Sequence, residues 1–434
     1  MRTPVVTGWR CAACGKRVAI SEIFSWRCPN SSDTDRHHVL EIENAIAPLR
    51  SNGDANPFVG FQRYLAWDAF AETLGLDFES RTKIIRDLDD AVAKIAGTGF
   101  RTTPFLRNNT LSEALGFDQQ GGVWIKDETH NVAGSQKARH LFTQLLHLIA
   151  VEDVGRAPWR HQSERPKLAI ASCGNAAIAA STLARAVNWP IQVFVPEHAD
   201  VATIKILNSL NADIVRCARV VTDAPGDPCV NRFREAIVAG AIPFGVQGPE
   251  NAWCLDGGRT IGWEMAVVAE ALSGALFSRM FVQAGGGALV TGAASGFFAG
   301  ATKPKVHAVQ TEGCAPLARA FEIARKTGGA RNAGSRWSQC MWPWETTPSS
   351  LADGILDVET YDWVGACNVM ADSGGWPVVA SEAQVRESYD LAHRVTNIDV
   401  SPTGAAGLAG LLAIRQEIAD DERVIVIFSG VRRQ

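Results

Sequence analysis

No stretch of this 434-residue chain approaches the roughly eighteen uninterrupted apolar residues of a membrane helix, so no membrane partner is expected. It also lacks an excess of positive charge: the formal balance is −4, which argues against nucleic acid or an anionic lipid surface as the main partner. The first residues, "MRTPVVTGWRCAACGKR", have no apolar core of the kind a secretory signal carries, and a cytoplasmic protein is the expectation. Ten cysteines in a chain this long do not make a disulfide framework. Most are scattered and read as buried thiols, but Cys11, Cys14 and Cys28 cluster. There is no internal repeat and no low-complexity tract that would predict disorder.

What is present is the composition of a globular protein, 46% apolar and 20% charged, with length enough for two domains and a small appendage. The appendage is residues 1–45. "CAACG" and "WRCPN" have the look of two metal-binding knuckles, each offering thiolates on a tight turn. A fourth cysteine is missing. Either His37 or His38 completes a tetrahedron with Cys11, Cys14 and Cys28, or the ribbon has lost its metal. Residues 60 to 98 read as helical, and "FRTTPFLRN" as an extended segment ahead of the strand "GGVWIKDET". From there apolar strands alternate with helices of about a dozen residues: "KLAIAS", "IQVFVP", "ADIVRC", "RMFVQAG", "KVHAVQT" and finally "RVIVIFSG". That alternation predicts α/β architecture, parallel-type sheets flanked by helices. Residues 330 to 376 look irregular and rich in Gly, Trp and Pro, and a loop that long is usually functional. Thirteen tryptophans is a high count, and several lie in this segment, where they either wall a pocket or pack the core.

Five stretches carry the candidate chemistry: "KDETHNVAGSQKARH", "ASCGNAA", "QAGGGALVTG", "SPTGAAGLAG" and "VIFSG". Gly285, Gly286, Gly287 and Ala288 join a buried strand to a helix. Such a turn aims backbone N–H groups and a helix dipole at one point, which suits a phosphate; a ligand-free tight turn is the plainer alternative. The spacing is not the G-x-G-x-x-G of a dinucleotide fold. Lys137 supplies an amine. Pyridoxal 5'-phosphate needs an amine for its aldehyde, an anion site for its phosphate and a polar group at its pyridine nitrogen. Asn175 suits the ring hydroxyl, and Ser429 the pyridine nitrogen. The turn Ser172, Cys173, Gly174, Asn175, Ala176 suits a substrate carboxylate.

In this order the motifs resemble the tryptophan-synthase-β-like, or fold type II, family of pyridoxal-phosphate enzymes, and within it the threonine synthases and the threonine or serine dehydratases. The family pattern K-x-E-x-x-N-P-T-G-S-F-K-x-R is matched at Lys126, Glu128, Asn131, Gly134, Ser135, Lys137 and Arg139, with departures at Val132, Ala133 and Gln136. Ser172, Gly174 and Asn175 match S-[ST]-G-N, with Cys173 departing. "CLDGGRTIGWEM", "GCAPLARAF" and "SLADGI" also resemble family stretches, so the likeness runs from about 95 to 430. The N-terminal ribbon leans toward threonine synthases; "GGGALVTG" and "LADG" lean toward dehydratases. "FSGVRRQ" matches the C-terminus of neither branch.

The resemblance implies a two-domain fold with residues 46–131 and 251–434 as a large cofactor-binding domain, residues 132–250 as a small α/β domain, and a homodimer. It implies Lys137 as the Schiff-base lysine and as the base at the α-carbon of an amino acid substrate. The expected activity is that of a lyase or a related enzyme: elimination or replacement of a β- or γ-substituent. A neutral hydroxyl at the ring nitrogen, from Ser429, favours loss of a leaving group over racemisation. Zinc in the ribbon would be structural. His130, beside Asn131, either faces substrate or sits behind the site. A non-catalytic regulator on the same fold and an NAD-type oxidoreductase are the competing readings.

Overall fold

The computed structural model describes residues 5–45, 47–220, 226–272, 276–300, 302–331 and 333–433. Three sheets organise them. The N-terminal unit is a three-stranded antiparallel sheet in the order Arg17–Ala19, Val6–Cys11, Leu40–Asn44. A six-stranded sheet runs Val378–Ala380, Lys305–Thr311, Arg279–Gln283, Arg423–Phe428, Gly122–Asp127, Phe105–Arg107; every pairing is parallel except the last, which is antiparallel. A four-stranded parallel sheet runs Asp213–Cys217, Ile191–Pro196, Leu168–Ala171, Ile242–Pro243.

The central strands Arg279–Gln283 and Arg423–Phe428 are buried almost throughout, because helices cover both faces of the large sheet. One of these helices, Pro402–Ala413, is capped by the Ser401 hydroxyl, which accepts from the Gly404 N–H at 2.9 Å. It lies close on the sheet because Gly407 and Gly410 have no side chain where the carbonyl of Phe281 and the side chain of Val309 stand. The stretch "SPTGAAGLAG" is thus a packing helix whose glycines set its height above the strands. Helices Cys254–Ala271 and Ala288–Phe297 also meet at glycines, Gly258 and Gly262 against Gly292 and Gly296.

The structure corrects one expectation and decides between the two roles left open for the tryptophans. Residues 330 to 376 are not irregular throughout, since an 11-residue helix, Trp363–Ser373, lies within them. It has Trp363, Val364, Ala366, Cys367, Val369 and Met370 all buried, and a helix apolar on most sides shows no period in its sequence. The tryptophans of this segment pack rather than wall a pocket. Trp363 is in the core, Trp342 and Trp344 stack on the Arg319 guanidinium, and Trp376 meets His307 edge-on. Among the described residues, no helix is long and apolar enough to cross a membrane.

Candidate active site

The strand Gly122–Asp127 leads into a sharply turned segment. Asn131 holds the turn: its side-chain oxygen accepts from the Val132 N–H at 2.8 Å, and its amide donates to Glu128 at 2.8 Å. Ala133 and Gly134 then both take left-handed conformations, with φ of 54° and 67°. A side chain at Gly134 would in addition strike Val431 at 2.6 Å, so glycine is required there. The turn is stitched to the end of the last strand. Gln136 N–H donates to the Ser429 carbonyl at 3.0 Å, and Val431 N–H donates to the Gly134 carbonyl at 2.8 Å. The helix Lys137–Asp153 begins at once, so Lys137 stands in its first turn beside Ser429.

Beneath this turn lies a closed set of buried charges. The Arg139 guanidinium donates to Glu128 at 2.8 and 3.0 Å, to Glu264 at 2.6 Å, to Thr260 at 3.0 Å and to Thr103 at 3.1 Å. Lys126 pairs with Glu264 and donates to the Thr103 carbonyl at 2.8 Å. Two cations and two carboxylates thus neutralise one another out of water, which is the condition for burying them at all. The group ties the strand, the lysine helix and helix Cys254–Ala271 together and holds the N-terminus of the lysine helix in place.

Asn175 is the first residue of helix Asn175–Ala186, preceded by Gly174, whose missing side chain faces open space. Its side-chain oxygen accepts from Arg433 Nε at 2.8 Å, and Arg433 also donates to the Ala133 carbonyl at 2.5 Å. The side chain of Asn175 lies against Gly430, and Gly430 bridges to Ser135. The lysine turn, the asparagine turn and the C-terminal strand end therefore meet at one place. In the asparagine turn Cys173 is exposed, Ser172 is half-buried and Ala176 is buried. His130 is exposed, one residue before the turned segment.

The glycine turn follows strand Arg279–Gln283. Gly287 has φ 91° and caps helix Ala288–Phe297. Two carboxylates that the sequence did not single out stand at this turn. The Asp357 carboxylate stands against the turn, its Oδ2 2.5 Å from where a side chain on Gly285 would begin, and the Asp362 N–H donates to the Gly286 carbonyl at 2.7 Å. The Asp362 carboxylate accepts from the Gly248 N–H at 3.1 Å, and its other oxygen is buried with no hydrogen-bond partner among the described residues. Burial lifts Asp357 to about 6, against the pull of Lys137, and lifts Asp362 to about 7, against the Gly248 N–H and Lys137. Burial in turn pushes the Lys137 amine below the usual lysine range, opposed by Asp357, Cys254 and Asp362. Ser135 Oγ, Gln136 Oε1, His140 Nε2 and Thr291 Oγ1 are also buried without partners, around the lysine turn and the helix after the glycines.

Ser429 Oγ accepts from Gln283 Nε2 at 2.7 Å. Gln283 carried a signal in the sequence, as the one uncharged polar residue in the strand "RMFVQ", directly ahead of the glycines. Asp357 and Asp362 carried none beyond their place in a long segment, because only the tertiary fold sets them against the glycine turn.

In the N-terminal unit Cys11, Cys14, Cys28 and His38 bring their ligand atoms within 4.8 Å of one another. Cys11 Sγ lies 3.5 Å from His38 Nδ1, and Cys14 Sγ lies 3.7 Å from Cys28 Sγ. Sulfur ligands about 2.3 Å from a tetrahedral zinc would be separated by about 3.8 Å. His38 Nε2 lies 3.0 Å from Asp35 Oδ2, the outer carboxylate that orients many metal-binding histidines. Of the two candidate histidines, His37 lies outside this cluster. Its ring packs on Trp337 at 4.6 Å and faces Glu359 at 3.6 Å, and burial pushes its pKa down to about 3. His38 alone of the pair is near the thiols, while His37 is held by Trp337 and Glu359.

The family model described as pyridoxal-phosphate dependent enzyme matches residues 97–430. The chain belongs to that family. Threonine synthase of Methanocaldococcus jannaschii is 22% identical over 434 residues, covering 97% of this chain and 91% of that protein. Among solved structures, the T.th. threonine deaminase superposes with a TM-score of 0.61 at 20% identity, covering 80% of this chain and 98% of that one. Serine racemase of maize superposes with a TM-score of 0.60 at 17% identity, covering 81% and 93%. These likenesses carry the fold of the family, fold type II, and family membership sets aside the oxidoreductase reading.

Proposed function

We propose that the chain is a pyridoxal-phosphate enzyme that removes the α-proton of a small amino acid and eliminates or replaces its β- or γ-substituent. The observation that carries this reading is the meeting of Lys137, Asn175 and Ser429, drawn from three distant parts of the sequence, through backbone bonds between the lysine turn and residues 429–431. The residues fit the cofactor. The Gly285–Gly287 turn leads into helix Ala288–Phe297 and leaves no side chain between its backbone and the Asp357 carboxylate, room that a phosphate group could take. Ser429 Oγ accepts from Gln283 and donates to no acceptor among the described residues, and buried polar atoms of Ser135 and Gln136 without partners among the described residues lie at the lysine turn.

Lys137 would hold the cofactor aldehyde, the Gly285–Ala288 turn the phosphate, Asn175 the ring hydroxyl and Ser429 the ring nitrogen. When bound, the cofactor supplies the electron withdrawal that acidifies the α-carbon. The chain's own part is to place groups. Burial pushes the Lys137 amine below its usual range, toward the neutral form that takes a proton. The Ser172–Ala176 turn offers N–H groups to a carboxylate at the mouth of the site. In the N-terminal unit we assign Cys11, Cys14, Cys28 and His38 to a structural zinc ion. The division into a large domain, residues 46–131 with 251–434, and a small one, residues 132–250, belongs to the same proposal.

A panel of β- and γ-substituted amino acids, followed by release of ammonia, phosphate or 2-oxo acid, tests the reaction. Turnover of at least one member supports it. Inversion of the α-carbon without release of any group would instead make the enzyme a racemase. Retention of cofactor with no chemistry across the panel would favour the regulator.

A further inference from the structure

Gln283 is buried at the end of the strand that leads into the glycine turn. Its amide nitrogen lies 2.7 Å from the Gly404 carbonyl, 3.3 Å from the Thr403 carbonyl and 2.7 Å from Ser429 Oγ. Carbonyl oxygens only accept hydrogen bonds, so they fix which end of the amide points toward them. The opposite orientation would set the amide oxygen against two carbonyl oxygens. The end that faces Ser429 is therefore the NH2 group. Its two hydrogens go to the two nearest acceptors, Gly404 O and Ser429 Oγ. The amide oxygen is turned toward Gly407, where a side chain would come within 3.1 Å of it, and it has no hydrogen-bond partner among the described residues.

From this geometry we infer that Gln283 is a positioning residue that commits the Ser429 hydroxyl to act as a donor toward whatever lies in the site. A hydroxyl in contact with a ring nitrogen can serve either of its two states. It donates to a neutral nitrogen or accepts from a protonated one. Serine alone does not choose. With one lone pair of Ser429 already filled by Gln283, and with no acceptor among the described residues for its hydrogen, the donor state is selected. Gln283 thereby makes the polar group at that position specific for an aromatic nitrogen that carries a lone pair. This rests on the reading of the site in the preceding section, and it adds the residue that sets the direction of the bond.

The test uses the full-length protein loaded with pyridoxal phosphate labelled with 15N in the ring, because the nitrogen chemical shift separates the neutral from the protonated ring without reference to turnover. The wild type is expected to show a neutral nitrogen from pH 6 to pH 9. Gln283→Glu is nearly isosteric, and whether ionised or protonated it offers Ser429 a lone pair. Ser429 then donates to it and turns a lone pair to the ring, so the shift should move toward the protonated value at pH 6. Gln283→Met removes the donor without supplying an acceptor and should give an intermediate, pH-dependent shift; it also serves if the glutamate variant does not fold. A wild-type nitrogen that is protonated, or the same shift in wild type and in a folded variant, overturns the inference. A wild-type protein that retains no labelled cofactor overturns instead the reading of the site on which it rests.

Discussion

The Asp357 carboxylate stands against the Gly285 backbone, its Oδ2 2.5 Å from where a side chain there would begin, with the carboxyl lifted to about 6 by its burial. One of the chain's own acidic side chains thus occupies the space beside the glycine turn. A phosphate bound at that turn would have to displace this carboxylate. Asp357→Ala should tighten cofactor binding several-fold in an absorbance titration. Gly286→Asp adds a second negative charge beside the first and should weaken binding at least tenfold, about 1.4 kcal/mol, with the far-ultraviolet spectrum unchanged. Equal affinities across wild type and both variants would place the phosphate elsewhere.

Lys137 is expected to be the lysine that carries the cofactor. Borohydride reduction of the loaded protein and peptide mapping should find the pyridoxyl group on the peptide that contains "SQKAR". Lys137→Ala should abolish the modification and lower turnover by several orders of magnitude. Label on a different lysine would remove the basis for assigning the proton transfer to Lys137.

Asp362 gives a pH dependence of definite sign. Its folded pKa, about 7, lies above the ordinary carboxyl value of 3.8, so the folded chain holds this proton more tightly than the unfolded chain. That contribution to stability is complete below about pH 4 and is lost as pH rises through 7. Asp362→Asn keeps the oxygen that accepts from Gly248 and has no charge to bury. It should melt close to wild type at pH 4, and above wild type by a margin that widens up to pH 8, where it reflects up to a few kcal/mol. A melting difference independent of pH would show that Asp362 is not held protonated by its surroundings.

Metal analysis of the purified protein should find about one zinc per chain. Cys11→Ser should lose it and His37→Gln should keep it, because only His38 faces the thiols. Zinc that survives the loss of Cys11, or that leaves with His37, would contradict the ligand set.

The large features of the fold are legible in the sequence because burial on both faces of a sheet leaves uninterrupted apolar runs, as in Arg423–Phe428 and Ile191–Pro196. The edge strand Val378–Ala380 is too short to announce itself, and around "PFGVQ" only Ile242–Pro243 pairs, at the other sheet's edge. Lys137, Asn175 and the glycines were visible because their motifs are local. Asp357, Asp362 and Arg433 were not, since each matters only through a partner far away in the chain. His37 and His38 were indistinguishable in sequence, and their roles are separated by tertiary partners, Trp337 and Glu359 for one and the thiols for the other.

Among the bonds that fasten the N-terminal unit to later parts of the chain, three sets reach residues 337–368. Arg36 donates to both oxygens of Glu359 at 2.6 and 2.7 Å, Asp35 accepts from the Trp337 indole at 2.5 Å, and Glu41 accepts from Asn368 at 2.7 Å. On the ribosome, none of these partners exists when the unit emerges. More than three hundred residues must follow before Glu359 is available to Arg36. Pairing of strand Val6–Cys11 with Leu40–Asn44 is a local means of bringing Cys11 beside His38 in that interval. The segment that the unit finally clasps is the one that carries Asp357 and Asp362.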